Sequence, residues 1–259
     1  VTDLVVFAGP VVLKPAFHAI PWQTEVQLAV IEGSGSSHFS ALGAQLRDGS
    51  GRVLPALLRR YAGAERRDFD KVALAAYSAG WGLLNQVFKQ EADRREVQAC
   101  IASDAAFGSG LDGYAAYAAD AIRGAALMVG TSSNQSANWA QGIYRTARET
   151  WQEIIDNARA GAGCYCLPRQ VAARSPLPEP SGGAWQIGTS LFWYDYVAAG
   201  AAANTGNDFT HAQHHDLAAA AWTAYLVPLF AGLPWQMFVG GLAAAAGLYW
   251  AYRTSRRKA

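Results

Sequence analysis

A serine hydroxyl attacks a carbonyl only when it is held open to substrate and a base can take its proton. The run 71–90, Lys-Val-Ala-Leu-Ala-Ala-Tyr-Ser-Ala-Gly-Trp-Gly-Leu-Leu-Asn-Gln-Val-Phe-Lys-Gln, offers Ser78 for that role. Residues 72–77 are apolar without a break, the pattern of a strand covered on both faces, and Leu83, Leu84, Val87 and Phe88 then recur at helical spacing. Only a tight turn can join the two. It strains its central residue and needs small neighbours two before and two after, here Ala76 and Gly80. Ser78 is then lifted to the sheet edge beside a helix N-terminus. The competing reading is a serine that only caps the helix.

These residues resemble the G-x-S-x-G motif of the α/β-hydrolase family, with Ala76 in place of the first glycine. The resemblance implies that an acid and then a histidine follow the nucleophile along the chain. Of His18, His38, His211, His214 and His215, the last three meet that order. Thr210 and Gln213 form a capping box that opens a helix through Leu217 and Trp222, which puts His211 in its first turn, with His214 one turn on. His211 is the expected base and His214 the runner-up. For the acid, Asp104 directly follows the strand 97–102, whereas the next strand runs into Gly130-Thr131-Ser132-Ser133-Asn134 without a carboxylate. Asp208 is a second possible partner for His211, although its spacing suits a local turn better. The oxyanion donors expected are the backbone N–H of Ala79 and that of Gly9, in the turn Phe7-Ala8-Gly9-Pro10-Val11; the loop 33–37 is the alternative.

Other chemistries fit less well. A metal site from His211, His214, His215 and Asp216 lacks a defining spacing, so no metal and no cofactor is expected. The loop 33–37 has no lysine at P-loop spacing. Cys100, Cys164 and Cys166 form no closed framework, and the C-x-C pair reads as ordinary thiols. With a net charge of +1 there is no basic face to neutralise phosphates, and no nucleic-acid partner is expected.

The elements that must position these groups follow from periodicity. Strands are predicted at 4–8, 25–31, 72–77, 97–102, 125–129 and 185–193, and helices at 39–46, 54–61, 80–93, 113–123 and 140–160, with a stiff proline-bearing loop over 172–183. Such alternation predicts an α/β fold: a mostly parallel sheet with helices on both faces, α/β-hydrolase-like, over residues 1–230. Residues 231–259 form a second unit, a hydrophobic C-terminal helix with a basic tail. In it, 233–252 is long enough to cross a bilayer, with Trp235 and Trp250 near its ends and Arg253, Arg256, Arg257 and Lys258 beyond. The same segment would equally suit packing on the core or in a homo-oligomer interface, so the location is membrane-associated or cytoplasmic. Two functions therefore stand. One is a serine hydrolase that cleaves small-molecule or lipid esters through an acyl-enzyme on Ser78. The other is a non-catalytic scaffold or assembly protein of the same fold, anchored by its C-terminal segment.

Overall fold

The structure, a computed structural model, describes residues 2–9, 14–33, 35–106, 110–132, 147–196 and 211–232. Eight strands form one sheet in the order β2-β1-β3-β4-β5-β8-β7-β6. They are β1 (Thr2–Gly9), β2 (Val26–Glu32), β3 (Phe69–Tyr77), β4 (Ala99–Ser103), β5 (Leu127–Ser132), β6 (Arg169–Val171), β7 (Gly183–Ile187) and β8 (Leu191–Asp195). Strands β2, β1, β3, β4, β5 and β8 run parallel, and β7 is antiparallel to both β8 and β6. The described helices are α1 (Lys14–His18), α2 (Ser36–Gln45), α3 (Val53–Tyr61), α4 (Trp81–Phe88), α5 (Glu91–Arg95), α6 (Asp112–Arg123), α7 (Ala147–Ala162) and α8 (His211–Phe230).

Helices cover both faces, as the alternation predicts. Leu4, Val6 and Ala8 of β1, with Leu74 and Ala76 of β3, pack under Leu54, Leu57, Leu83, Val87, Tyr117 and Trp151. The other face carries Val5, Phe7, Ala73, Ala75, Ala99 and Ile101 and is covered by Phe17 of α1 and by α8. Ala73, Ala75 and Ala99 keep this face low beside Phe7, and Ile101, Leu127 and Val129 carry it on to Phe192 and Tyr194. Trp222 of α8 fills one flank against Phe7, ring centroids 5.0 Å apart, and Tyr225 fills the other against Phe192 at 5.6 Å. Buried area of this kind, at roughly 25 cal/mol per Å2 of apolar surface, is what holds α8 down.

Several local predictions need correction. The single strand 185–193 is a hairpin, β7 and β8, because Gly188 adopts φ 61° and reverses the chain. The helix 80–93 is two helices, since Lys89 and Gln90 end α4 before α5 starts; Arg94 Nη1 donates to the freed Phe88 carbonyl at 2.8 Å. Asp93 then caps α3 from a distance, accepting from the N–H groups of Val53 (2.8 Å) and Leu54 (3.1 Å) and from Arg52 Nε (2.7 Å). Helix α1 and strand β6 were not predicted. The segment 233–252, its tail and Asp208 lie outside the described residues; no described helix is long and apolar enough to cross a membrane.

Burial pushes the phenols of Tyr77, Tyr114, Tyr117, Tyr194, Tyr196 and Tyr225 above the ordinary value near 10. A raised pKa means that the folded state keeps its proton while the unfolded chain loses it. The stabilisation is therefore complete below about pH 10 and is lost as pH rises through the folded values. We expect stability to fall steeply above about pH 10 and phenolate absorbance to appear together with unfolding; phenolates that form while the circular dichroism stays native would contradict this burial.

Candidate functional site

The connection from β1 turns to β2 on one side, while β3 lies on the other, so the strand order reverses between β1 and β3. In open α/β sheets the crevice at such a reversal, beyond the carboxyl ends of the strands, is where ligands bind. Ser78 is the first residue past β3 at that edge. It is half-buried, while all of 72–77 is buried.

Its backbone is strained. Ser78 has φ 47°, and Asp104 shares that value; among the described residues they are the two non-glycine positions with positive φ. A left-handed conformation of a residue with a Cβ costs on the order of 1 kcal/mol and persists where the surroundings impose it. The imposition here comes from a single 3-10 turn, Ser78–Gly80, that feeds directly into α4. Gly80 lies so close to β1 that a methyl group there would overlap the Ala8 carbonyl. The reading of Ser78 as a helix cap does not fit: the residue before α4 is Gly80, and the residue before the turn is Tyr77, neither with a side-chain capping bond. The Trp81 N–H closes this turn onto the Ser78 carbonyl, whereas the N–H of Ala79, second in the turn, has no acceptor within it. Gly9 ends β1 beside this turn, since Ala8 is in register with Ala76.

Asp104 stands at the matching point of the next strand. Tyr77 pairs with Ser103, so Ser78 and Asp104 both begin the turns that follow, about one strand spacing (~4.8 Å) apart. Asp104 is 4% exposed, and its N–H donates to the carbonyl (3.2 Å) and hydroxyl (3.0 Å) of Thr131 on β5. Its charge reaches the neighbouring strand: burial first, and then Asp104, raise the Tyr77 phenol. Ser103, 1% exposed, carries a hydroxyl oxygen without a hydrogen-bond partner on the face that α8 covers.

A second buried carboxylate, Asp195 at the end of β8, was missed from sequence. It receives Arg148 Nε at 2.6 Å and Nη2 at 2.5 Å, and accepts from Ser132 Oγ at 3.1 Å, which in turn accepts from Trp193 Nε1 at 2.9 Å. Asp195 is thus spent on an ion pair that ties α7 to β5 and β8. A polar residue ending a buried apolar strand was the sequence signal for it.

The imidazoles divide by position. His18 and His38 are exposed, and His38 lies in the first turn of α2, a helix packed beside the Ser78–Gly80 turn. His211 and His214 belong to the first turns of α8, and their side chains lie outside the described residues. The course of α8 sets their level. Phe230 at its end meets Trp22, ring centroids 5.8 Å apart, near the start of β2, while Trp222 meets Phe7 higher on β1. The helix therefore descends from the edge that carries Ser78. Phe7 is in register with Ala75, and Ser78 lies three residues, about 10 Å, beyond that row. At 1.5 Å per residue, position 214 is about 12 Å and position 211 about 16 Å before Trp222. Both positions stand at the level of the elbow or one turn above it.

Among the described residues no group of three histidine, cysteine or carboxylate side chains is placed to hold a metal. The C-x-C pair departs from expectation: Cys164 and Cys166 are disulfide-bonded, and Cys100 is a buried free thiol. No protein-family model matches the chain, and neither the curated proteins nor the solved structures contain a match to it.

Proposed function

We propose that this chain is a serine hydrolase of α/β-hydrolase type that cleaves carboxylic esters through an acyl-enzyme on Ser78. The observation that carries the reading is the left-handed backbone of Ser78, half-exposed at the carboxyl end of the central strand and at the point of strand reversal. Nothing about packing requires a serine there, and glycine would fit with less strain. Strain kept at an accessible hydroxyl suggests that the hydroxyl is used.

In this mechanism an imidazole from the start of α8 takes the Ser78 proton as the oxygen attacks the ester carbonyl. The oxyanion that forms is held by the N–H of Ala79, with Gly9 as the second donor, and such donors are worth about 3 kcal/mol each. The imidazolium then protonates the leaving alcohol, and water, activated by the same imidazole, releases the acid. Asp104 orients and stabilises the imidazolium from the adjacent strand. It suits that role better than Asp195, whose charge Arg148 already neutralises. Lipid esters join small-molecule esters as substrates if 233–252 contacts a membrane.

The test is hydrolysis of an activated short-chain ester across pH. The base must be neutral, so kcat/KM should rise through a histidine range near 6.5 and level off above it. Of His211→Ala, His214→Ala and His38→Ala, one α8 variant should lose at least 100-fold and His38→Ala should lose little. A flat pH profile, or a loss confined to His38→Ala, would remove α8 as the source of the base. No turnover by well-folded protein would favour the scaffold reading.

A further inference from the structure

At the opposite edge of the sheet, α7 ends in a Schellman turn. Gly163 takes φ 63°, its N–H donates to the Ala160 carbonyl at 3.1 Å, and the Cys164 N–H donates to the Arg159 carbonyl at 3.0 Å. Arg123, just before β5, holds the Gly161 carbonyl at 3.1 Å, so this turn lies at the amino ends of the strands, remote from Ser78. The turn delivers Cys164 directly into the pair with Cys166, Cα atoms 5.3 Å apart.

This bond does not staple the fold. It joins residues two apart in one turn, and closing so short a loop removes little freedom from the unfolded chain. It is also reachable: both cysteines are half-buried, and the residues that follow each, Tyr165 and Leu167, are 97% and 77% exposed. The two sulfurs are not equivalent. The Cys166 N–H donates to Cys164 Sγ at 3.1 Å, a bond that favours negative charge on that sulfur. The third cysteine does not compete, because Cys100 is fully buried and burial pushes its thiol far up.

We propose that Cys164–Cys166 is a thiol–disulfide exchange site, opened by small or peptide thiols and closed by the corresponding disulfides. In the opening direction an external thiolate attacks Cys166 Sγ, the bond to Cys164 breaks, and Cys164 leaves as the thiolate that the Cys166 N–H stabilises. A second external thiolate attacks its predecessor's sulfur in the mixed disulfide, releasing Cys166 and an external disulfide. Both cysteine thiolates take up protons, so two thiols are oxidised as one disulfide is reduced. The closing direction retraces these steps: Cys166 attacks the external disulfide, and Cys164, held as the thiolate, resolves the mixed disulfide. The site is independent of the ester-cleaving reading at the other edge.

The test uses the full chain in glutathione buffers of graded reducing strength, followed by acid quench, alkylation and intact mass. Two further alkylatable thiols should appear and disappear reversibly while the circular dichroism stays native. With oxidised glutathione, Cys166→Ser should form a mixed disulfide at least about fivefold faster than Cys164→Ser. A bond that opens only on unfolding, or a chain that keeps three thiols in oxidised glutathione, would overturn the site. Equal or reversed trapping rates would overturn Cys164 as the sulfur held as thiolate. Substituting glutathione with a cysteine-containing peptide separates a small-thiol partner, unaffected by Tyr165→Ser, from a peptide partner that this change slows.

Discussion

Replacing Ser78 with glycine should make the protein more stable and remove its activity. At φ 47° the Ser78 side chain is paid for in backbone strain, on the order of 1 kcal/mol, and glycine relieves it even after its larger unfolded-state entropy is counted. The net gain is about 0.5 kcal/mol, which corresponds to roughly 1 to 2 °C in melting temperature for a chain of this size. Ester hydrolysis should fall by at least about 1,000-fold, because the attacking oxygen is gone and only the oxyanion donors and binding remain. Ser78→Ala separates the two effects: it keeps a Cβ at the strained position and should lose activity without the stability gain. Thermal melts and ester turnover on the same samples check both halves. Ser78→Gly that melts lower than wild type would mean that the hydroxyl holds the turn together, which is the behaviour of a structural residue.

Gly80→Ala should damage fold and activity together. The added methyl would meet the Ala8 carbonyl, a backbone atom in a strand buried from Asp3 onward, and no rotamer change can relieve the contact. Helix α4 must move away from β1, at about 3 kcal/mol, and the Ala79 N–H moves with it. A displacement of about 1 Å at a reacting centre lowers the rate by about 100-fold, so kcat/KM should drop by that order in protein that is still folded. Gly49→Ala is the control, since nothing lies within 4 Å of a methyl group there, and it should change stability by no more than about 0.5 kcal/mol. Urea titration reads the first effect and steady-state kinetics the second. A neutral Gly80→Ala would show that the elbow tolerates another helix approach and is not built around this contact.

The elbow was legible in the sequence because every signal for it is local. An unbroken apolar run, small residues at 76 and 80 and a helical repeat from Leu83 leave one place for the turn, and Ser78 occupies it. The same logic found the α/β class and most of the parallel strands. It failed where a boundary depends on a single backbone conformation, as at Gly188, which splits one apolar run into β7 and β8. It failed again where the partner is remote in sequence. Asp93 reads as one acid among several in a charged stretch, yet it is buried under the start of α3. Asp195 acquires its role only when Arg148 arrives from α7. The descent of α8 across the sheet likewise depends on strands β1 and β8, whose Phe7 and Phe192 meet Trp222 and Tyr225 from opposite sides.

The account rests on Ser78 being a nucleophile, and a biotin- or fluorophore-tagged fluorophosphonate measures that directly. Incubated with the folded full chain, the probe should add once per molecule, with the adduct on the peptide containing Ser78, and should not label Ser78→Ala or heat-unfolded protein. Labelling at another serine, or none in a preparation with native circular dichroism, would contradict it.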